Sequence, residues 1–123
     1  MVNAETFQKI YARVDPEARR SLEAFRRDHP LKQVSASGDT WDYVALGKGE
    51  ETVLFLHGMA GAYDIWWQVL ERLADQYRII STTYPPVESL ASLTLGIRAI
   101  LAEEQVQKAN IVGSSLGGYL AQY

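Results

Sequence analysis

The spacing of apolar residues along the chain changes near residue 30. Phe7, Ile10, Tyr11 and Val14 recur at the i, i+3, i+4, i+7 interval of one helix face, with Asn3 placed to cap that helix. Asp15-Pro16 reads as an N-cap followed by proline at the first helical position. Ala18, Leu22 and Phe25 then form a second apolar stripe, and His29-Pro30 ends it, because a residue before proline is pushed out of the helical region. Beyond this point the spacing predicts strands over 31–36 and 40–46, around the hairpin signal Ser37-Gly38-Asp39. Trp41, Tyr43 and Ala45 alternate with polar Asp42, but Val44 and Leu46 interrupt the alternation, and Gly47-Lys48-Gly49-Glu50 reads as a polar turn.

From residue 52 strand and helix patterns take turns. Residues 52–56 (TVLFL) are a continuous apolar run bounded by turns, as in a strand buried on both faces. A helix is expected over 64–75, with Trp66, Val69, Leu70 and Leu73 on one face. Residues 77–82 (YRIIST) give the next strand, which Tyr84-Pro85-Pro86 stops. Ser89 can cap a helix carrying Leu90, Leu93, Ile97, Ile100 and Leu101, and 109–113 (ANIVG) is a third short strand before a helix from Leu116. Strand and helix in alternation with short links predict an α/β fold whose parallel strands are joined by right-handed crossovers. There are no internal repeats and no low-complexity segments.

Composition narrows the function classes. With 47% apolar and 22% charged residues the chain has the balance of a globular protein rather than a disordered one. A net charge of −3 gives no reason to expect nucleic acid as a partner. Arg19, Arg20, Arg26 and Arg27 cluster in the second helix, but Glu17, Glu23 and Asp28 are interleaved, so a solvated face is expected over an anion-binding patch. The absence of cysteine excludes thiolate chemistry and disulfides, and His29 and His57 are too few for a metal site. No apolar run reaches the roughly 18 residues of a membrane span, and the N-terminus has no apolar signal core, so the default expectation is cytoplasmic.

The chemically informative position follows the third parallel strand. Gly113-Ser114-Ser115-Leu116-Gly117-Gly118 matches G-x-S-x-G between a strand and a helix, where a tight turn leaves a serine exposed above the sheet. Ser115 would then stand at a helix N-terminus, where the Leu116 N–H and the positive helix end favour an oxyanion. Ser114 is expected to point into the fold. The second position is His57-Gly58-Met59-Ala60-Gly61, directly after TVLFL, a glycine-rich turn able to present a free N–H. Strand ends of one parallel sheet converge on the same edge, which brings both turns together. His57 invites a catalytic-base reading, but a histidine at the exit of a central strand is expected to support the loop backbone.

Taken together, VLFLHGMAGAYDIW, YRIISTTYP and NIVGSSLGGYLAQ resemble the first half of an α/β-hydrolase-fold protein, from Leu31 onward. The resemblance implies Ser115 as nucleophile, the N–H groups of Met59 and Leu116 as the oxyanion hole, and His57, Gly58, Gly113 and Gly117 as support for the two loops. Trp66 matches a tryptophan common after the His-Gly loop. YRIISTTYP and GSSLGGYLAQ further resemble the maspardin-like branch. The implied layout is an N-terminal helical segment over 1–30 and an incomplete α/β-hydrolase domain over 31–123. Serine at the elbow disfavours epoxide hydrolases and haloalkane dehalogenases, which carry aspartate there. Esterases, thioesterases, lipases, peptidases and carbon–carbon bond hydrolases remain.

In this family an acid and then a histidine follow the nucleophile, and neither occurs among the eight residues after Ser115. A serine without a base is a poor nucleophile at neutral pH. The 123 residues are therefore expected to be the N-terminal part of a longer serine hydrolase and inactive by themselves. The expected partner is a small acyl or ester substrate, with no cofactor and no metal. The alternative is a non-catalytic binding or adaptor protein on the same fold. The strand over 109–113 is expected as an exposed apolar edge open to self-association. Met59, Ala62, Tyr63 and Trp67 could line an acyl pocket or simply pack the loop. The aromatic stripe Phe7, Tyr11 and Phe25 is expected to pack on the sheet or cover the site, rather than to serve assembly.

Overall fold

A computed structural model describes residues 3–123. Its elements in chain order are α1 (Ala4–Ile10), α2 (Pro16–Asp28), β1 (Lys32–Ala36), β2 (Asp39–Leu46), β3 (Thr52–Leu56), α3 (Trp67–Leu73), β4 (Arg78–Thr83), α4 (Leu90–Glu103), β5 (Asn110–Gly113) and α5 (Leu116–Gln122). The strands form one sheet in the order β1-β2-β4-β3-β5. β1 and β2 pair antiparallel, β2 joins β4 antiparallel, and β4, β3 and β5 run parallel. The architecture is thus the expected α/β arrangement, a hairpin beside three parallel strands with crossover helices and two helices in front.

Local chemistry accounts for most boundaries. Asn3, Asp15 and Ser89 each accept a bond from a first-turn N–H, those of Thr6, Ala18 and Ser92, at 2.8, 3.0 and 3.1 Å. Each satisfies a donor that the helix itself leaves unpaired. The β1–β2 hairpin closes over two residues, Ser37 at φ 52° and Gly38 at φ 85°, between the facing pair Ala36 and Asp39. Two successive left-handed residues match the right-handed twist of the strands they join.

The sheet has a core on each face. Trp41, Tyr43, Leu54, Leu56 and Ile80 pack with Leu93, Ile97 and Ile100 of α4. Val44, Leu46, Val53, Phe55 and Ile79 pack on the other face with Phe25 of α2 and Leu70 of α3. This explains why Val44 and Leu46 disturb the alternation in β2: that strand is covered on both sides, so both residue sets are apolar. β3 is buried at every position.

Three expectations require correction. α1 ends at Ile10, and of its predicted stripe Phe7 is buried while Ile10 and Val14 are 61% and 40% exposed. The chain turns at Tyr11, so the later stripe positions never share a packed helix face. α3 begins at Trp67 rather than at residue 64, because Asp64 is engaged by Arg26 Nε at 2.6 Å and closes a turn with the Trp67 N–H. Val69, expected on the packed face of α3, is exposed. The predicted exposed edge is present: β5 is exposed at all four positions, Ile111 and Val112 included.

One tertiary tie had no sequence signal. The Glu104 carboxylate accepts from Lys32 Nζ at 2.8 Å, Tyr43 Oη at 2.8 Å and Arg78 Nη2 at 2.9 Å. It fastens the end of α4 to β1, β2 and β4. Burial alone would raise the Glu104 pKa, but the three donors outweigh it and hold the carboxyl below its ordinary value. A lowered folded-state pKa contributes stability that is present above the unfolded value and is lost as pH falls through the folded one. Glu104→Gln should therefore cost about 2 kcal/mol at pH 7, moderated because Lys32 and Arg78 are partly solvated. The gap between wild type and variant should shrink as pH falls below the ordinary carboxylate range, which urea unfolding at neutral and acid pH measures.

Candidate active site

β3 and β5 are parallel neighbours with Leu56 opposite Gly113, so their exits, His57-Gly58 and Ser114-Ser115, emerge side by side at the carboxyl edge. The Ser114 N–H continues the ladder by donating to the Leu56 carbonyl at 3.1 Å. The chain then turns at once into α5, with the Gly117 N–H donating to the Ser114 carbonyl at 2.9 Å. The turn puts Ser115 at φ 53° and ψ −117°, where a side chain is strained by roughly 1–3 kcal/mol. A Cβ on Gly117 would collide with the carbonyl oxygen of Leu56, and one on Gly113 with the carbonyl of Gly117. Glycine at these two positions lets α5 start against the strand end.

The two loops meet across this edge. A Cβ built on Gly58 would stand 3.5 Å from Ser115 Cβ. The Gly61 N–H bonds to the Gly58 carbonyl at 3.0 Å and closes a tight turn with Met59 at its first corner. Among the described residues, neither the Met59 N–H nor the Leu116 N–H donates to a protein acceptor. Ser115 is exposed.

His57 lies beneath this turn and is buried. Its Nδ1 pairs with the Gly58 carbonyl and its Nε2 accepts from the Tyr84 N–H at 3.3 Å. Tyr84 Oη returns a bond to the His57 carbonyl at 2.9 Å, and the two rings stack with centroids 3.9 Å apart. Burial pushes the His57 pKa down, which favours the neutral ring with its proton on Nδ1. Both nitrogens are occupied, so the ring pins the exits of β3 and β4 together. Sequence reasoning took Tyr84 only as a strand stop; no local signal marks the partner of a side chain 27 positions away.

Other expected positions fall differently. Ser114 is exposed rather than turned into the fold, because the elbow holds its backbone at the edge. The four residues suggested for an acyl pocket are not brought together. The Met59 side chain is 84% exposed, while Tyr63 is buried in the core beside Phe25. Ala62 and Trp67 line a cavity beside α2, and Trp67 Nε1 donates to Ser21 Oγ at 3.2 Å. Arg26, expected on a solvated face, is instead the partner of Asp64. His29 packs against the Phe25 ring at the end of α2. Among the described residues no helix is long and apolar enough to cross a membrane, and no three His, Cys, Asp or Glu side chains gather as metal ligands.

No protein-family model matches the chain. It is 35% identical over 88 residues to the dihydrolipoyllysine-residue acetyltransferase component of the acetoin cleaving system of Cupriavidus necator, covering 64% of this chain and 24% of that protein. It is 32% identical over 104 residues to maspardin of Danio rerio, covering 80% of this chain and 33% of maspardin. The chain thus spans a third or less of the length of these two relatives. Among solved structures, a mutant epoxide hydrolase of Vigna radiata superposes with a TM-score of 0.67 at 22% identity, over 79% of this chain and 34% of that one. A meta-cleavage product hydrolase, CumD, superposes with a TM-score of 0.63 at 31% identity, over 73% of this chain and 38% of that one. Sheet order, elbow and structural relatives agree, and the chain has the fold of the first part of an α/β-hydrolase.

Proposed function

We propose that the protein carrying this chain is a serine hydrolase acting on a carboxylic ester or related acyl substrate, with Ser115 as nucleophile. The observation that carries the reading is the strained, exposed Ser115 facing the Gly58 turn, with the Met59 and Leu116 N–H groups without protein acceptors beside it. In this reading Ser115 Oγ attacks the acyl carbon and gives its proton to a histidine that an acid orients. The carbonyl oxygen takes the negative charge and is held by the two N–H groups. The proton then passes to the leaving group, and water repeats the sequence on the acyl-enzyme. No step calls for a metal or a cofactor.

Neither histidine of this chain suits the base role: both nitrogens of His57 are engaged, and His29 sits at the end of α2. These 123 residues therefore offer no base for Ser115, and by themselves they should show negligible turnover. The likeness to CumD keeps carbon–carbon bond hydrolysis within the same reading.

The second reading, a binding or adaptor protein, draws support from the likeness to maspardin, since a shared fold does not by itself fix an activity. A fluorophosphonate probe on the full-length protein separates the two. An adduct mapped by mass spectrometry to Ser115 is the expected result. No adduct, or one only at another residue, would favour the adaptor.

A further inference from the structure

We propose that the cavity between α2 and the loop after β3 is a binding site for a single-chain alkyl carboxylate. The cavity holds about 390 Å³ and does not include Ser115. That volume lies in the range of small-molecule pockets, about 300–1,000 Å³. Val14, Ala18 and Leu22 form one apolar wall, and Ala60, Ile65 and Trp67 the other.

Three charged side chains also line it: Arg19, Arg26 and Asp64. Arg26 is already committed, with Nε on Asp64 Oδ2 at 2.6 Å and its guanidinium 5.2 Å from the centre of the Phe7 ring. Arg19 is half-buried and makes one long bond, 3.5 Å from Nη1 to the Tyr11 carbonyl. Among the described residues it has no ion pair, so the lining keeps one uncompensated positive charge. An apolar slot with one guanidinium suits an apolar tail with one negative head. A planar carboxylate matches the fork of N–H donors, whereas a dianionic head would leave a charge unpaired.

The site lies behind the Met59 turn, since Ala60 and Gly61 contribute to its wall, yet binding there needs no chemistry at Ser115. The proposal therefore stands or falls apart from the hydrolase reading.

Decanoate below its micelle concentration is the probe, followed by calorimetry and by tryptophan fluorescence, to which Trp67 in the cavity wall contributes beside Trp41 and Trp66. Saturable one-site binding is expected. Decanol should bind about tenfold more weakly, and so should decanoate to Arg19→Gln, as loss of one charge-assisted bond predicts. Ala18→Phe, which fills the slot, should abolish binding, while Arg20→Gln, outside the cavity, should bind as wild type. Circular dichroism checks that the variants fold; should Ala18→Phe fail, Arg19→Gln and the decanol comparison decide. Absent saturation with wild type, equal binding of decanol, or an unchanged Arg19→Gln would each overturn the proposal.

Discussion

Ser115→Ala is expected to lower ester turnover by the full-length protein by about 10⁴-fold or more while leaving its stability nearly unchanged. Removal of the nucleophile leaves only water attack, aided by whatever the oxyanion donors still provide. The fold should not respond, because the Ser115 residue is exposed and makes no side-chain cap bond to α5. Alanine keeps a Cβ, and so keeps the strain of φ 53°. Ser115→Gly removes that Cβ as well and should stabilise the protein by about 1 kcal/mol while being equally inactive. Initial rates on a p-nitrophenyl ester and urea midpoints for the three proteins test both halves. Retained turnover in Ser115→Ala would sink the assignment of the nucleophile; a Ser115→Gly protein no more stable than wild type would refute the strain.

The second large effect is expected at Gly117. Its α-carbon faces the Leu56 and His57 carbonyls, so an added methyl meets backbone rather than a side chain that could swing away. Overpacking against yielding neighbours costs about 1–3 kcal/mol. Here α5 must lift from β3, carrying with it Leu120, which is buried in the core with Leu54 and Leu56. Gly117→Ala should therefore cost about 3 kcal/mol or more, and should also displace Ser115 from the Gly58 turn. Urea unfolding reads the first consequence, and loss of fluorophosphonate labelling in whatever remains folded reads the second. Wild-type stability in Gly117→Ala would mean that the approach of helix to strand is looser than it stands here.

The elements whose signal lies within a few residues were legible. Asn3, Asp15 and Ser89 cap their helices because a cap needs only its own side chain and the next turn. Ser37-Gly38 closes a hairpin because left-handed backbone is a local preference, and TVLFL is a buried strand because a five-residue run with β-branched and aromatic members between two turns is too short for a helix. The elbow belongs to this class too, since its glycines and serine are consecutive. The α1 stripe misled because helical spacing continued past the point where the chain turned, and spacing alone cannot report what lies opposite.

By itself, then, the chain's order of residues determined the α/β class, the hairpin, the sequence of parallel strands and the pair of turns that flank one sheet edge. Tertiary structure decided what each turn is held by and which charges survive unpaired. His57 is pinned by Tyr84, Glu104 gathers Lys32, Tyr43 and Arg78, and Arg26 is taken by Asp64 while Arg19 is left at the rim of a cavity. These partners stand far apart in sequence and become neighbours only when strands are ordered and helices packed. Local preferences are properties of a few adjacent residues, whereas pairing of distant polar groups follows from the whole fold.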